Sequence, residues 1–389
     1  MLPNSSFVKL FTALAFLLSL IIFSGIFYLN IPTDLQDHIF GLQLIIKHHS
    51  FPVPPLYYFL VYLFSGCSLN TYQLYNAAIL LLSVSVALKY YYSTKLISNV
   101  NPLQRQDKRL MFILWLLIFA APMAYDYRQM FIGRISTNVW HNSTTIFLMP
   151  FAILMFDKTI CFFKLKQATI KDAIPIILFA FINVLIKPSF LFPFIPSFVG
   201  IVYLNSGFKS SVFKMAVLIS MLLCIFIFIE YYAVYKMAII DAVRFANDTK
   251  GIEIKPFYTL LILNNGSWVS LFLNLFASLL FPLICFIIIR KQIQHNIIVR
   301  FTILLFVFSL LIGILISEKG IMASNGNFIW QLYISNYLLF LVLIKYAYDY
   351  VIAVGWRNKK SLLIIISFGI HVVSGLLYLA KIFYLKKYT

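Results

Sequence analysis

Charged side chains are scarce in this chain of 389 residues. They make up 11% of the sequence, whereas hydrophobic residues make up 62%. A soluble domain of ordinary composition carries about 25% charged residues. Too few polar side chains remain to cover a soluble core of this size. The composition therefore excludes an ordinary soluble protein and predicts a polytopic membrane protein.

Cysteine is also rare. The four cysteines, Cys67, Cys161, Cys224 and Cys285, are far apart in the sequence and form no Cys-x-x-Cys pair. This spacing argues against a disulfide framework and against a structural zinc site. The sequence also lacks a recognisable internal repeat, a low-complexity linker and a soluble domain. A single membrane domain is therefore predicted over residues 1–389.

Long apolar runs recur along the whole chain. Each run of roughly 16–24 residues can cross the hydrocarbon core as a helix, so an all-α protein with about eleven spans is predicted. Residues 54–66 are apolar but few, and they begin with two prolines. They are predicted as a re-entrant or surface-lying helix. The predicted spans are 7–29, 71–93, 110–125, 143–157, 172–187, 189–205, 212–235, 267–289, 299–318, 327–349 and 361–383.

Lysine and arginine outnumber the acidic residues, 31 to 12, and the formal net charge is +19. The basic residues form clusters, of which Lys89 to Arg109 is the first, in alternate connections between spans. Such clusters are retained in the cytoplasm, so the N-terminus is predicted to be cytoplasmic. The basic residues are dispersed among membrane loops, which favours membrane lipids over nucleic acid as partners. Residues 30–70, 126–142, 236–266 and 319–326 are predicted as outer loops.

The first outer loop is unusually polar for such a protein. It begins with Pro32-Thr33-Asp34-Leu35-Gln36-Asp37-His38, and later contains His48, His49 and Pro54-Pro55-Leu56-Tyr57-Tyr58. The predicted spans, in contrast, are nearly free of charge. A transporter is expected to carry ionisable groups in the middle of the membrane. The distribution therefore favours an active site at one membrane surface.

This order of features resembles the membrane glycosyltransferases of the GT-C superfamily. A first span is followed by a loop with Asp34 and, one turn later, His38, and then by Pro54-Pro55-Leu56-Tyr57-Tyr58 leading towards the second span. The resemblance covers roughly residues 1–95, and it departs from many relatives in having Val53 where they have histidine. Residues 133–144 and 326–330 are similar to segments of bacterial membrane proteins associated with the same superfamily.

The resemblance implies a GT-C-like fold and a bacterial inner-membrane enzyme. It implies the inverting transfer of a sugar from a polyprenyl-phosphate donor to a glycan or lipid acceptor on the periplasmic or extracellular face. Asp34 would be the catalytic base, with Asp37 as the alternative one turn further on. A polysaccharide polymerase and a flippase or transporter of lipid-linked oligosaccharides stay open as other functions.

Asp34 also suits this chemistry by its own properties. An alcohol is a poor nucleophile until a base removes its proton. A carboxylate beside apolar helices at the outer leaflet can have a raised pKa, which would suit that task. The alternative is that Asp34 only caps a short helix that begins near Leu35.

A donor that carries phosphate needs cationic partners. Lys187 lies at the predicted outer junction of two apolar spans, where its ammonium must snorkel or meet an anion. Arg128 and Arg134 are further predicted phosphate ligands. His141 is predicted to contact the phosphate or the acceptor, and a structural histidine is the alternative. The predicted substrate-binding residues are His38, His48, His49, Asn138, Asn142, Glu318, Asn327 and Trp330.

The first outer loop also contains side chains that could bind a metal ion. Asp37, His38, His48 and His49 are all potential ligands of a divalent cation, Mg²⁺ or Mn²⁺. They lack the helical His-x-x-x-His and His-Glu-x-x-His spacings of known metal sites. No residue is therefore predicted as a metal ligand, and the cation stays an alternative.

Overall fold

The computed structural model describes residues 6–100, 107–123, 135–236 and 251–386. This part of the chain is almost entirely helical, and its two strands have three residues each. In chain order the elements are α1 (Ser6–Tyr28), α2 (Asp34–Lys47), α3 (Leu56–Phe64), α4 (Thr71–Val100), α5 (Lys108–Leu116), α6 (Ser143–Phe162), α7 (Ile170–Ile186), α8 (Leu191–Ser206), α9 (Ser211–Tyr235), β1 (Ile252–Ile254), α10 (Tyr258–Ile262), α11 (Trp268–Ile293), α12 (Ile297–Leu315), β2 (Ile316–Glu318), α13 (Trp330–Val354) and α14 (Lys359–Leu385).

Nine helices within these ranges are long and apolar enough to cross a membrane. The protein is thus an all-α, multi-pass membrane protein, as the composition predicted. Two predicted spans are not among the nine. Helix α7 has 17 residues, and the predicted span 110–125 is not one continuous helix in the described residues. The nine are α1, α4, α6, α8, α9, α11, α12, α13 and α14.

The core of the bundle surrounds helices α6 and α13. Every residue of α13 from Gln331 to Lys345 is buried. Helix α4 packs between α1 and α6, and α12 packs between α8 and α13. Helices α9 and α14 instead expose apolar side chains such as Phe228 and Ile366. In a membrane protein these surfaces face lipid, so the exposed apolar side chains are not in contact with water and carry no free-energy penalty for hydration.

Hydrogen bonds join the loops into two groups at opposite ends of the helices. At one end, which we name the site end, Ser143 donates to Asp34, and the Tyr235 hydroxyl donates to Glu318. At the other, the basic end, Tyr348 donates to Asp107. The described parts of the loops predicted to lie outside thus meet at one end.

Residues 30–70 contain two short helices at the site end. Helix α2 begins with a capping box, in which the Thr33 hydroxyl accepts from the Leu35 N–H and Gln36 Oε1 accepts from the Thr33 N–H. Asp34 is therefore the first helical residue, and the interpretation of Asp34 as the cap of this helix is wrong. Helices α2 and α3 expose Phe40 and Phe59, as expected for helices that lie in a membrane interface.

Lys89 does not lie in a basic loop. Helix α4 contains no glycine or proline and continues to Val100, so Lys89 lies inside the helix and is only 6% exposed. Its ammonium donates to Asn138 Oδ1 and lies 3.8 Å from the centroid of the Tyr337 ring. Lys89, Asn138 and Tyr337 are called the Lys89 cluster below. Asn138, which was predicted at the outer surface, is thus buried within the bundle.

The Lys89 cluster holds irregular backbone inside the bundle. After α5 and one 3-10 turn (Leu117–Phe119), the chain is extended at Ala120. The side-chain amide of Asn138 donates to the carbonyl oxygens of Leu117 and Ala120, both at 2.7 Å. The Ala121 N–H donates to the His371 carbonyl oxygen at 3.0 Å. Irregular backbone at membrane depth needs such internal partners, which explains why the predicted span 110–125 is not one helix.

Candidate active site

Side chains from several separate segments meet at the site end. They come from the first turns of α2 and α3, from the start of α6, from the connection between α7 and α8, and from the segment between β2 and α13. We call this group the Asp34 site. Its members are Asp34, His38, Tyr57, Tyr58, His141, Asn142, Ser143, Thr144, Lys187, Glu318, Asn327 and Trp330.

The carboxylate of Asp34 is hydrogen-bonded at one oxygen and faces an imidazole at the other. Its Oδ1 accepts hydrogen bonds from the backbone N–H and the hydroxyl of Ser143, each at 3.1 Å. Its Oδ2 is buried and lies 3.4 Å from Nε2 of His38, one turn along α2. Ser143 is the first residue of α6. Asp34 therefore occupies the N-terminal end of that helix, where unpaired N–H groups and the helix dipole favour an anion.

These partners lower the pKa of Asp34. Burial acts to raise this pKa, but the charge and hydrogen bond of His38, the charge of His141 and the N–H of Ser143 together outweigh it. The expectation of a raised pKa was therefore wrong, mainly because His38, one turn along α2, faces the carboxylate, with smaller contributions from His141 and from the N–H of Ser143. Asp34 is ionised at neutral pH, and it is a weaker base than its apolar surroundings suggested.

Lys187 lies directly after α7, in extended conformation. Its ammonium is 3.4 Å from both Asn142 Oδ1 and Thr144 Oγ1, and 5.0 Å from the centroid of the Trp330 ring. Burial lowers the pKa of Lys187 to about 8, although Asp34 and Glu318 act to raise it. The ammonium is thus held by long contacts to neutral groups, and it can form a shorter bond to an anion.

His141 is close enough to the Asp34 carboxylate and to the Lys187 ammonium for both charges to affect its pKa. Burial lowers its pKa, as does Lys187, while Asp34 acts to raise it. Its ring meets the ring of Trp330 edge to face, with centroids 5.7 Å apart. The imidazole of His141 is therefore neutral. One of its ring nitrogens can donate a hydrogen bond, and the other can accept one.

Glu318 forms a second carboxylate at this end. It is buried at the end of β2, where its Oε1 accepts from the Tyr235 hydroxyl at 2.6 Å and its Oε2 accepts from the Asn327 amide at 2.8 Å. Strand β2 pairs with β1 in antiparallel register, with Glu318 opposite Ile252. Glu318 and Asn327 are thus hydrogen-bonded to each other, and they line one side of the site.

Other predicted site residues lie elsewhere. Asp37 is on the exposed face of α2. His48 and His49 are exposed beyond the far end of α2, about 20 Å from Asp34 by the rise of the helix. Arg128 and Arg134 lie outside the described residues. Within the described ranges, no three His, Cys, Asp or Glu side chains are grouped as a metal site requires.

Four residues that contact this site were not predicted as site residues, although they lie in segments that carry the resemblance: Ser143, Thr144, Tyr57 and Tyr58. Tyr57 is 1% exposed, and its hydroxyl lies beside Ser143 and Asp34. Burial raises its pKa, so the hydroxyl keeps its proton. One signal for Ser143 and Thr144 was present, because a polar run that precedes an apolar span is typical of a helix N-terminus.

The fold and the site define a class: a multi-pass helical membrane protein with an ionised carboxylate and a half-buried ammonium at one end of its bundle. Comparison with known protein families finds no matching family, and comparison with characterised proteins finds no relative. The function is therefore inferred from the chemistry of the site.

Proposed function

We propose that the protein is an integral-membrane glycosyltransferase. It moves a sugar, with inversion, from a polyprenyl-phosphate donor to a hydroxyl of a surface glycan or lipid. The observation that carries this proposal is the meeting of Asp34 and Lys187 at one end of an apolar bundle. A lipid-linked donor presents its phosphate at this level of a membrane, and its chain requires apolar helices beside the site. The resemblance of the first loop to GT-C enzymes supports the same function.

Asp34 is the proposed base. The acceptor oxygen attacks the anomeric carbon of the sugar, its proton passes to the carboxylate, and the bond from that carbon to the phosphate oxygen breaks. The electron pair of the broken bond leaves with the polyprenyl phosphate. Because the carboxylate is held by Ser143 and His38, it need not reorganise as the proton moves.

Lys187 is the proposed partner of the phosphate. Charge on the phosphate increases as it leaves, and a desolvated ammonium stabilises that charge. A polyprenyl-phosphate sugar is a phosphodiester with one negative charge, while a lipid diphosphate carries two. Asp34 and Glu318 already place negative charge around Lys187, which favours the singly charged donor. Arg128 and Arg134 stay proposed as further phosphate ligands.

The proposed setting is the bacterial inner membrane, with the site end on the periplasmic or extracellular face and the N-terminus in the cytoplasm. The basic residues support it: Lys95, Lys158 and Lys164 gather around Cys161 at the basic end, as the positive-inside rule expects. In a variant without the native cysteines, cysteine at His49 should react with an impermeant reagent from outside, and cysteine at Lys166 should not. The reverse pattern would overturn the orientation.

Sugar transfer by the purified protein tests the function. Vesicles that contain the protein, a set of radiolabelled polyprenyl-phosphate hexoses and a glycolipid extract should yield a labelled glycan and free polyprenyl phosphate. A protein that binds none of these donors and releases no polyprenyl phosphate would contradict the proposal. Release only from lipid diphosphate oligosaccharides would identify a polymerase instead.

A lipid-linked oligosaccharide flippase or another transporter is the second candidate, because of the Lys89 cluster. A buried lysine beside irregular backbone is typical of substrate pathways in transporters. The cavity beside Lys89 and Asn138, however, has about 20 Å³ of space for water, room for one or two molecules. Movement of a lipid-linked sugar across vesicles without transfer, abolished in Lys89→Met, would favour this candidate.

A further inference from the structure

We propose that His38 and Tyr58 are positioning residues that orient the carboxylate of Asp34. In this arrangement the Tyr58 hydroxyl donates to Nδ1 of His38, and Nε2–H of His38 donates to Oδ2 of Asp34. The inference rests on the proposed function, since it gives Asp34 the role of the base. It replaces the prediction that His38 contacts the substrate.

For the neutral form of His38, the donor and acceptor inventory assigns a direction to each of the two contacts. The Tyr58 oxygen lies 2.6 Å from Nδ1 of His38, and Asp34 Oδ2 lies 3.4 Å from Nε2. An ionised carboxylate only accepts hydrogen bonds, so Nε2 must carry the proton. A neutral imidazole then has a lone pair at Nδ1, which accepts from the tyrosine hydroxyl. At 3.4 Å the Nε2 contact is too long for a hydrogen bond in this structure, so the proposed bond needs a small approach of the two groups; catalytic hydrogen bonds are often long before a substrate binds.

The local fold explains how the three side chains meet. Asp34 and His38 are four residues apart on α2, so they lie on one face of that helix. Helix α3 begins directly after two prolines and brings Tyr57 and Tyr58 against this face. The ring of Tyr58 lies 5.5 Å from the imidazole, edge to face. Both ring nitrogens of His38 therefore face protein groups, and neither is left for a substrate.

The consequence is a carboxylate fixed from two sides. Ser143 holds Oδ1 through two hydrogen bonds, and His38 approaches Oδ2. Other ionisable neighbours of Asp34 among the described residues are His141 and Lys187, from the segments before α6 and after α7, and Tyr57 from α3. His38 differs from these neighbours because its second ring nitrogen contacts a tyrosine hydroxyl, which restricts the orientation of the imidazole. A base on a loop gains its orientation from such supporting contacts.

Kinetics of matched variants distinguish a positioning role from substrate contact. In His38→Ala, kcat should fall by about tenfold to a hundredfold, the value of one hydrogen bond to a charged group, while KM for donor and acceptor stays unchanged. His38→Gln keeps an N–H donor and should recover part of the rate. Tyr58→Phe should lower kcat by a few fold. His49→Ala and Tyr72→Phe, both at exposed positions, are the controls. A raised KM with unchanged kcat would overturn the proposal.

The tautomer of His38 gives a test that needs no transfer activity. Nitrogen-15 spectra of histidine-labelled protein, with the His38 signal assigned from the His38→Gln spectrum, should show Nε2–H in the wild type. The Tyr58→Phe variant should keep Nε2–H, because the carboxylate still requires it, while its Nδ1 signal shifts as the hydrogen bond from the tyrosine hydroxyl is lost. A wild-type protein with the proton on Nδ1 would overturn the proposed orientation whatever its activity. A wild-type protein with the expected tautomer but without sugar transfer would contradict the proposed function and, with it, the assignment of Asp34 as a base.

Discussion

The Asp34 site and the Lys89 cluster contain the same three kinds of side chain. In each, a lysine contacts an asparagine oxygen and an aromatic ring: half-buried Lys187 with Asn142 and Trp330, and buried Lys89 with Asn138 and Tyr337. The contacts of Lys187 are long, at 3.4 Å and 5.0 Å, and two carboxylates influence its charge. The contacts of Lys89 are short, and none of those in the described residues is a carboxylate.

The difference teaches that burial of a charge does not by itself identify a functional site. Asn138 uses its amide to hold the carbonyl oxygens of Leu117 and Ala120, so Lys89 completes a structural junction. Asn142 caps α6 through the N–H of Thr145, and Lys187 touches it only at the limit of a hydrogen bond. We therefore expect changes at the Lys89 cluster to affect stability, and changes at the Asp34 site to affect ligand binding and turnover.

The largest loss of stability is expected from Gly375→Ala. A Cβ at this position would lie 1.5 Å from the carbonyl oxygen of Phe119, next to the irregular backbone that Asn138 holds. The clash should cost about 3 kcal/mol, at the upper end for overpacking. Thermal unfolding measures it, and Gly369→Ala, where a Cβ meets nothing within 4 Å, is the control. Equal unfolding temperatures for the two variants would contradict the close packing at Gly375.

Lys89→Met should destabilise the protein somewhat less. It leaves the Asn138 oxygen buried without its donor, which costs about 1–3 kcal/mol. Turnover per folded molecule should stay close to that of the wild type. An unchanged unfolding temperature of Lys89→Met together with a loss of donor binding would contradict the structural role of Lys89.

Lys187→Met should show the opposite pattern. Removal of one charge-assisted bond should weaken binding of a polyprenyl-phosphate donor by about tenfold to a hundredfold, with an unchanged unfolding temperature. Lys236→Met removes an exposed charge that directly follows α9 and should leave affinity unchanged. Unchanged donor affinity in folded Lys187→Met would return Lys187 to a snorkelling anchor.

The pH dependence of donor binding should be the smallest effect. Because the pKa of Lys187 is about 8, affinity should fall above that pH, by at most about tenfold per pH unit. The unfolded chain binds more protons than the folded one between pH 8 and the ordinary lysine pKa of 10.5. Lys187 therefore adds stability as pH rises through this window, so weaker binding there would not reflect unfolding. Lys187→Arg keeps its charge, and a decline that persists in this variant would exclude Lys187 as the cause.

Most of the fold could be predicted from the long apolar runs, since each membrane helix has an apolar stretch of its own in the sequence. The prediction was wrong for Lys89, because a basic residue was taken to mark a loop, whereas Asn138 and Tyr337 supply the partners that let it remain in the bundle. The end of α5 could not be predicted from the local sequence either, because the hydrogen bonds that hold residues 117–121 come from Asn138 and His371.

The candidate site could be predicted in part. The residues Asp34, His141 and Lys187 were expected on one face because of the alternation of loops, and the structure brings them within electrostatic reach of one another. Their roles stay predictions. The contact of Asp34 with Ser143 could not be predicted, because it depends on how α6 meets the first loop. That contact adds to the lowering of the Asp34 pKa, of which His38 on the same helix is the main cause.

The most direct test of Asp34 as the base is sugar transfer by Asp34→Asn compared with Asp37→Asn, using purified protein and a radiolabelled polyprenyl-phosphate donor. Asparagine keeps an oxygen that accepts from Ser143 at the start of α6, but it cannot take a proton at neutral pH. Turnover of Asp34→Asn should therefore fall by about 10²–10⁴ while donor binding and unfolding temperature survive. Asp37→Asn, on the exposed face of α2, should change turnover much less. Full activity of Asp34→Asn would contradict the account, and a loss in Asp37→Asn instead would move the base one helical turn along.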